Sequence, residues 1–280
     1  MIHYCFKKHV KSHCCTFKLK IESLAMKTNL FSSIPMTLFL LSILLNPIES
    51  RAQFSATLET GLAGFSRNEA RIPGDTGTTI DFTRFDSPNA LAVRIIPSYK
   101  FSKNHEVRGL WAPLSFEATG RLSGSTSFNG TTFAAGVDTV GSYKFNSYRL
   151  GYVYHFNPDS AQRWRLGLMA KIRDAYISVT QGATTSKKSN VGFVPLIHFG
   201  WEADFSKDFT VNLDVDALGA SQGRAIDGLI AVKYRGLVSA YMESANLYLG
   251  YRTIEGGADV EEVYNFAWIH QAVVGLEMSL

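Results

Sequence analysis

The stretch RWRLGLMAKIRDAYISV, residues 163–179, decides the fold, because it sets four cations among apolar side chains at a fixed period. On a helix each residue turns by about 100°, so these cations would point all round the cylinder. On a strand successive side chains alternate between two faces. All four cations carry odd numbers, whereas Trp164, Leu166, Leu168, Ala170 and Ile172 carry even ones. We therefore predict a strand with one charged and one apolar face. The cations are Arg163, Arg165, Lys171 and Arg173.

Nine other segments alternate in the same way. Short connections follow the second, fourth and sixth strands, and much longer ones follow the first and third, as in membrane barrels. The pattern predicts an all-β fold, an antiparallel transmembrane β-barrel of ten strands. Eight or twelve strands remain alternatives, because the connections after the seventh and eighth strands fit less well. A bulge is expected at Pro113, which cannot donate to a strand ladder. The nine segments are 54–66, 89–101, 105–118, 143–156, 191–205, 209–218, 225–235, 245–254 and 264–280.

The first 52 residues resemble an export leader. The apolar run 34–45 is too short to span a bilayer as a helix, and small residues at Ser50 and Ala52 predict cleavage before Gln53. We therefore expect a leader over 1–52, with the signal peptide over 26–52, and a barrel over 53–280. All three cysteines lie in the leader, so a disulfide framework is not expected. They are Cys5, Cys14 and Cys15.

The basic balance of the whole chain, a formal net charge of +4, also comes from the leader. The leader holds seven of the 28 Lys and Arg residues and two of the 24 Asp and Glu residues, so the exported part has a charge of −1. This balance gives no support to nucleic-acid binding. The expected partners of the barrel are outer-membrane lipid, lipopolysaccharide and the barrel assembly machinery. No nucleic acid, cofactor or metal is expected.

Six sequence blocks carry a family resemblance. They are RIPGDTGTTIDF (71–82), APLSF (112–116), FNSYRLGYVYHF (145–156), KIRDA (171–175), NVGFVPL (190–196) and EGGADVEEVYNFAW (255–268). In these blocks the chain resembles the Gram-negative outer-membrane β-barrel proteins of largely unassigned function. The resemblance covers essentially all of 53–280 and implies a small monomeric barrel in the outer membrane, but no activity. One departure is the final residue, Leu280, where such barrels commonly end in an aromatic residue.

Hairpin register predicts partners for the cations. If the fifth and sixth strands pair with residue numbers that sum to 367, Arg163 lies opposite Asp204 and Arg165 lies opposite Glu202. Opposite charges that face each other across a ladder stabilise a sheet by up to about 1 kcal/mol. Both cross-strand pairs follow from this one register.

The neighbouring hairpins predict two charged walls inside the barrel. The sixth and seventh strands set His198 opposite Asp216, and the eighth brings Asp227 near Asp216. The fourth and fifth strands place Arg149 beside Lys171. We expect these side chains to form a lumen charge network across a narrow interior. Its basic wall is Arg149, Lys171 and Arg173, and its acidic wall is Asp214, Asp216 and Asp227.

Three functions fit this pattern. The first is a structural barrel filled by salt bridges, and the second is limited passage of small solutes through the charged lumen. The third is an enzyme using His198 beside Asp216, or the loop acids Asp259, Glu261 and Glu262. A His–Asp pair needs a nucleophile or a bound water, and no Gly-x-Ser-x-Gly elbow is present. We therefore assign no catalytic residue.

The two long outer loops give one more alternative. Residues 67–88 and 119–142 are rich in Gly, Ser, Thr and Asp. Such loops can bind ligands or other surfaces, although polar loops are usually only solvated. A surface-loop binding protein therefore stays open as a further hypothesis.

Overall fold

A computed structural model describes residues 53–87, 89–237 and 242–279. The predicted leader and Leu280 lie outside the described residues. Within them, no helix has the length and apolar character needed to span a bilayer. The strands are β1 (Gln53–Arg71), β2 (Ile80–Asp81), β3 (Ala90–Ser102), β4 (His105–Ala112), β5 (Ser115–Arg121), β6 (Thr126–Phe128), β7 (Thr131–Phe133), β8 (Asp138–Phe156), β9 (Gln162–Gln181), β10 (Thr184–Asp204), β11 (Phe209–Ala220), β12 (Gly223–Leu237), β13 (Ser244–Val260) and β14 (Val263–Ser279).

The strands close into a barrel, because β1 pairs with both β3 and β14. In the described part of the chain, ten antiparallel strands form its wall, with β4 and β5 counted as one strand interrupted around Pro113. The small β2 pairs with the end of β1, and β6 and β7 form a separate hairpin. The predicted ten-stranded barrel is confirmed, and the interruption falls where the proline predicts one.

The two faces of the wall differ as the alternation predicts. Leu91, Leu168 and Leu249 point outward and are 67%, 69% and 65% exposed. Aromatic side chains lie on this face near the strand ends, as in Trp164 and Trp201, whose ring centroids are 5.9 Å apart. An apolar band flanked by aromatic girdles is the lipid-facing surface of a membrane barrel. The inner face carries most of the buried charges.

The long outer loops pack into the external mouth of the barrel. The first contains a short 3-10 helix, Phe82–Arg84, and the second contains the β6–β7 hairpin. Their aromatic side chains are buried in an apolar core with residues of the wall. The expectation that these loops are only solvated is therefore wrong. The buried loop aromatics are Phe82, Phe85, Phe128 and Phe133.

Hydrogen bonds and small residues hold these loops in place. The Asn129 backbone N–H donates to the Ile72 carbonyl at 2.7 Å, and Gln181 Nε2 donates to the Ala134 carbonyl at 2.8 Å. Gly120 lies against Phe85, where an added Cβ would come within 2.7 Å of the ring. The loops therefore form a built plug on one side of the mouth.

The other external turns are tight, because their strands continue further than the sequence predicts. β9 turns into β10 between Gln181 and Thr184, and β13 turns into β14 between Val260 and Val263. The predicted fifth and ninth strands, 163–179 and 245–254, are therefore followed by two-residue turns in longer hairpins.

One neighbouring hairpin is shorter than the rest. At their external ends, β11 stops at Ala220 and β12 starts at Gly223. β10 starts at Thr184 and so extends further outward than β11. The β10–β11 ladder begins at Ile197 opposite Ala217, and in the described chain residues 184–196 pair with β9 alone. We call this unpaired edge between β10 and β11 the seam.

Candidate functional site

A buried ion network crosses the middle of the lumen. Asp227 accepts hydrogen bonds from three guanidiniums, those of Arg94 at 2.8 Å, Arg149 at 2.6 Å and Arg252 at 2.6 Å. Glu59 accepts from Arg252 Nε at 2.7 Å. Tyr248 donates its hydroxyl to the same carboxylate at 2.6 Å. Asp216 joins through an ion pair with Arg149. We call this set the central network: Glu59, Arg94, Arg149, Asp216, Asp227 and Arg252, all buried.

One cation of the predicted basic wall meets the predicted acidic wall across the lumen. Arg149 of β8 pairs with both Asp216 of β11 and Asp227 of β12. Asp227 is also paired with two cations outside the predicted basic wall, because buried charges are stable only when they are paired. His198 lies opposite Asp216 and bonds it through Nδ1 at 2.8 Å. Asp216 lies opposite Asp227, as the register predicts.

The predicted register of β9 and β10 is wrong by two residues. Arg163 lies opposite Glu202, and Arg165 lies opposite Gly200. The ion pairs still form diagonally, with Arg163 bonding Asp204 at 2.7 Å and Arg165 bonding Glu202 at 3.0 Å. Arginine is long enough to reach a diagonal neighbour in a sheet, so either register satisfies the same acids.

Three members of the central network were missed as site residues. Glu59 of β1 lies opposite Arg94 of β3, so hairpin register could have found this pair. Arg252 belongs to β13, near the other end of the chain. It joins them only because β1 closes the barrel against β14, which pairs with β13. The sequence did contain a signal for all three. Each charged residue stands at a position that alternates with outward apolar residues, so its side chain must face the lumen.

A second set of ion pairs lies on the periplasmic side of the central network. Asp214 accepts from Arg108 at 3.1 Å and from Arg165 at 3.2 Å. Lys233 bonds Glu202 at 2.9 Å and Glu277 at 2.8 Å. These side chains line a cavity of about 350 Å³, which we call the periplasmic cavity.

A larger cavity of about 680 Å³ lies on the external side, next to the loop plug. We call it the external vestibule. Apolar and aromatic side chains of β8, β10 and β11 line much of it, including Tyr143, Phe145, Val194 and Leu218. The sequence-predicted cations Lys171 and Arg173 both line it as well. Lys171 lies opposite Arg149 on the wall, as predicted.

Lys171 and Arg173 differ from the other lumen cations. Lys171 is only 4% exposed, and its ammonium lies 4.8 Å from the centroid of the Phe145 ring. Among the described residues it forms no ion pair. Arg173 donates through Nη2 to Asn190 Oδ1 at 2.6 Å, while its buried Nε has no hydrogen-bond partner. The external vestibule therefore contains cationic donors that the protein itself leaves unused.

The residues of the enzyme hypothesis are not assembled into a reactive site. His198 is completely buried and lines neither the external vestibule nor the periplasmic cavity. Of the loop acids, Glu262 lines the vestibule. The Asp259 backbone N–H bonds Gln222, and the Glu261 carbonyl accepts from Gly74. These two contacts tie external turns together.

Among the described residues, one group could geometrically hold a metal ion, formed by His198, Asp214 and Asp216. The donor set fits a cation poorly, because arginines already neutralise both carboxylates. Arg149 pairs with Asp216, and Arg108 and Arg165 pair with Asp214. We therefore assign no metal to this group.

Comparison with known proteins gives likenesses of fold. No protein-family model matches the chain, and no curated protein sequence matches it. The chain is similar to the outer membrane protease OmpT of Escherichia coli, at 11% identity and a TM-score of 0.49, covering 81% of this chain and 97% of that one. It is also similar to Neisserial surface protein A, at 16% identity and a TM-score of 0.33, covering 80% and 96%. A third similar structure is the translocator domain of the autotransporter NalP from Neisseria meningitidis, at 12% identity and a TM-score of 0.40. The match covers 88% of this chain and 94% of that one.

The class of protein follows from the barrel itself. A closed sheet leaves no unpaired edge along most of its wall, its outer face is apolar, and its charges lie inside. Only helices and closed barrels satisfy the backbone inside a bilayer, and even-stranded antiparallel barrels with long external loops belong to the outer membrane. The protein is a Gram-negative outer-membrane β-barrel.

Proposed function

We propose that this barrel is closed to passive diffusion and acts by binding a small molecule in its external vestibule. One observation carries the proposal: the external vestibule and the periplasmic cavity are separated by the central network. Two voids lined by residues of this network have volumes of about 20 and 30 Å³. A single water needs at least about 10–15 Å³, so these voids hold little more than one or two waters.

The external vestibule has the properties of a ligand site. Its volume lies within the usual range of about 300–1,000 Å³, and its lining is mostly apolar with a few polar groups. Lys171 and Arg173 line it without an internal ion pair in the described chain, in contrast to the cations of the central network. Structural stability alone explains the central network but does not explain this apolar space with unused cations.

A hydrophobic fluorophore tests binding at the vestibule. We expect N-phenyl-1-naphthylamine to bind the barrel in lipid nanodiscs with increased fluorescence. Ala225→Trp fills the vestibule from β12 and should remove this signal. Ala217→Trp is the matched control, because Ala217 alternates to the outer face of β11. Equal fluorescence from wild type and both variants would overturn the proposal.

Limited passage of small solutes is the second candidate, because cavities lie on both sides of the central network. Here the network would act as a gate. Planar-bilayer conductance separates the two functions: we expect no discrete openings from the wild type. The double variant Arg149→Ala/Asp227→Ala removes side chains from the separating layer and should conduct. Discrete openings of the wild-type barrel would refute a permanently closed lumen and support the gate.

A further inference from the structure

We propose that the ligand of the external vestibule is an amphipathic carboxylate, which enters from the outer leaflet of the membrane through the seam between β10 and β11. This inference rests on the proposed binding function and adds the chemical class of the ligand and its route. Three features support it: the unpaired seam, the position of the vestibule beside the seam, and the cations that have no internal ion pair.

The part of the seam from Val191 onward lies at the height of lipid. Beside it, Val191, Phe193 and Ile197 point outward and are 70%, 64% and 55% exposed. Large apolar side chains at this exposure belong in contact with acyl chains. A strand edge in this position has backbone groups without a ladder partner, which costs several kcal/mol per group in hydrocarbon. The wall is therefore weakest where β10 continues past the end of β11.

The sequence of β10 suits a permanent edge. Pro195 lies within the unpaired stretch and pairs only with Ala170 of β9. Proline has no N–H to donate, so it is confined to edge strands, strand starts and bulges. Its presence removes one donor that a closed β10–β11 ladder could have used. Both the proline and the difference in strand length therefore keep this part of β10 unpaired with β11.

The vestibule reaches both sides of the seam. Its lining includes Leu218 and Ala220 of β11 and Val194 of β10. It also includes Phe193 and Pro195, whose side chains lie on the exposed outer face of β10. The vestibule therefore lies directly behind the seam.

The chemistry of the ligand follows from the inner lining. Lys171 offers a buried ammonium without an acidic partner in the described chain, and Arg173 offers a free Nε beside an occupied Nη2. Arginine pairs with a carboxylate through a planar, two-point contact. Lys188 adds a third inward cation, whereas Glu262 is the acid among the described lining residues. The lining thus selects an anionic head group over a cationic one.

The rest of the vestibule selects an apolar body. Tyr143, Phe145, Val194 and Leu218 surround the space beyond the cations. A wholly polar anion would make no apolar contact with these side chains. A neutral hydrocarbon would leave the charge of Lys171 without a counter-ion. A molecule with one carboxylate on an apolar chain satisfies both parts of the site.

The ligand class is tested by displacement of the bound fluorophore with three twelve-carbon amphiphiles. Dodecanoate should displace it at a concentration at least tenfold lower than dodecanol or dodecyltrimethylammonium. Lys171→Met and Arg173→Gln should each weaken dodecanoate about tenfold or more, the usual loss for a hydrogen bond to a charged group. Both should leave dodecanol unchanged. Lys103→Met, at a periplasmic turn, is the matched control.

The outcomes separate the two proposals. If the fluorophore itself does not bind the vestibule, the proposed binding function fails. If it binds but dodecanol displaces it as well as dodecanoate, or if Lys171→Met changes nothing, only the carboxylate inference fails. Preferred displacement by the cationic amphiphile would also overturn it.

The route is tested by joining the seam. In Val194→Cys/Ala220→Cys the two thiols lie on inward positions of the extended β10–β11 register, where a short bifunctional maleimide can link them. Dodecanoate delivered from lipid vesicles should then displace the fluorophore at least tenfold more slowly than before linking. Wild-type protein treated with the same reagent is the control. An unchanged rate in the linked protein would refute lateral entry.

Discussion

Replacing Asp227 with asparagine tests the central network as the main polar support of the barrel. Asn has the same shape but no charge, so Asp227→Asn leaves three buried guanidiniums facing the two remaining acids, Glu59 and Asp216. The three hydrogen bonds to Asp227 are 2.6 to 2.8 Å long, and every partner is buried. The loss is therefore not screened by water.

The expected magnitude follows from this burial. Removing one partner of a buried ion pair costs about 3–5 kcal/mol, because the remaining charge is left uncompensated. Asn keeps one acceptor oxygen for the arginines, which places the expected loss near the lower end, about 3 kcal/mol. A second change, Arg94→Met, removes the surplus cation. The double variant should therefore be more stable than Asp227→Asn alone.

Urea unfolding in detergent, followed by tryptophan fluorescence, measures these free energies. Asp159→Asn is the matched control, because it breaks the exposed pair with Lys103, whose side chains are 69% and 78% exposed. Surface pairs contribute about 0–1 kcal/mol, so this control should lie close to wild type. If Asp227→Asn lowers the unfolding free energy by less than about 1 kcal/mol, the network is not a buried ionic support.

Two further changes test the loop plug and the lipid face. An added Cβ at Gly141 would overlap the ring of Phe82, so Gly141→Val should cost about 1–3 kcal/mol and expose the first loop to limited proteolysis. Gly124→Val has open space around it, and an equal cleavage rate in both variants would contradict the packing. Leu168→Arg sets a charge on the lipid face and should cost about 2–4 kcal/mol, measured as the loss of heat-modifiable folded barrel on gels. Ala183→Arg, at an exposed turn, should fold like wild type.

The strands could be predicted because they depend on a local rule. Alternation along RWRLGLMAKIRDAYISV assigns each side chain to a face without any knowledge of its neighbours. The same rule assigns the inward parity of Arg94 and Arg252, although not their partners. Strand ends were predicted less well. β9 and β10 continue beyond the alternating apolar positions into a segment of polar residues, where alternation no longer marks the strand.

The register and the loops could not be predicted with the same security. Arg163 reaches an acid in either of two registers, so charge pairing alone does not decide between them. The loop aromatics Phe82 and Phe128 lie in segments dominated by Gly, Ser and Thr. The overall composition of these segments is polar and therefore does not reveal that single aromatic residues are buried. Their burial depends on the diameter of the closed mouth, which is a property of all ten strands together.

The inward folding of the two long loops also determines what the cell displays. Barrels of this kind usually present their longest loops as the exposed, variable and protease-sensitive surface. Here Ile72, Phe82 and Phe128 hold those segments inside the mouth, and the projecting surface is largely the β9–β10 hairpin, with its tip at Gly182 and Ala183. An antibody or a phage that approaches this cell meets a projecting two-stranded hairpin beside an opening that the loops fill on one side. Recognition by either is thereby concentrated on residues that also form one edge of the seam.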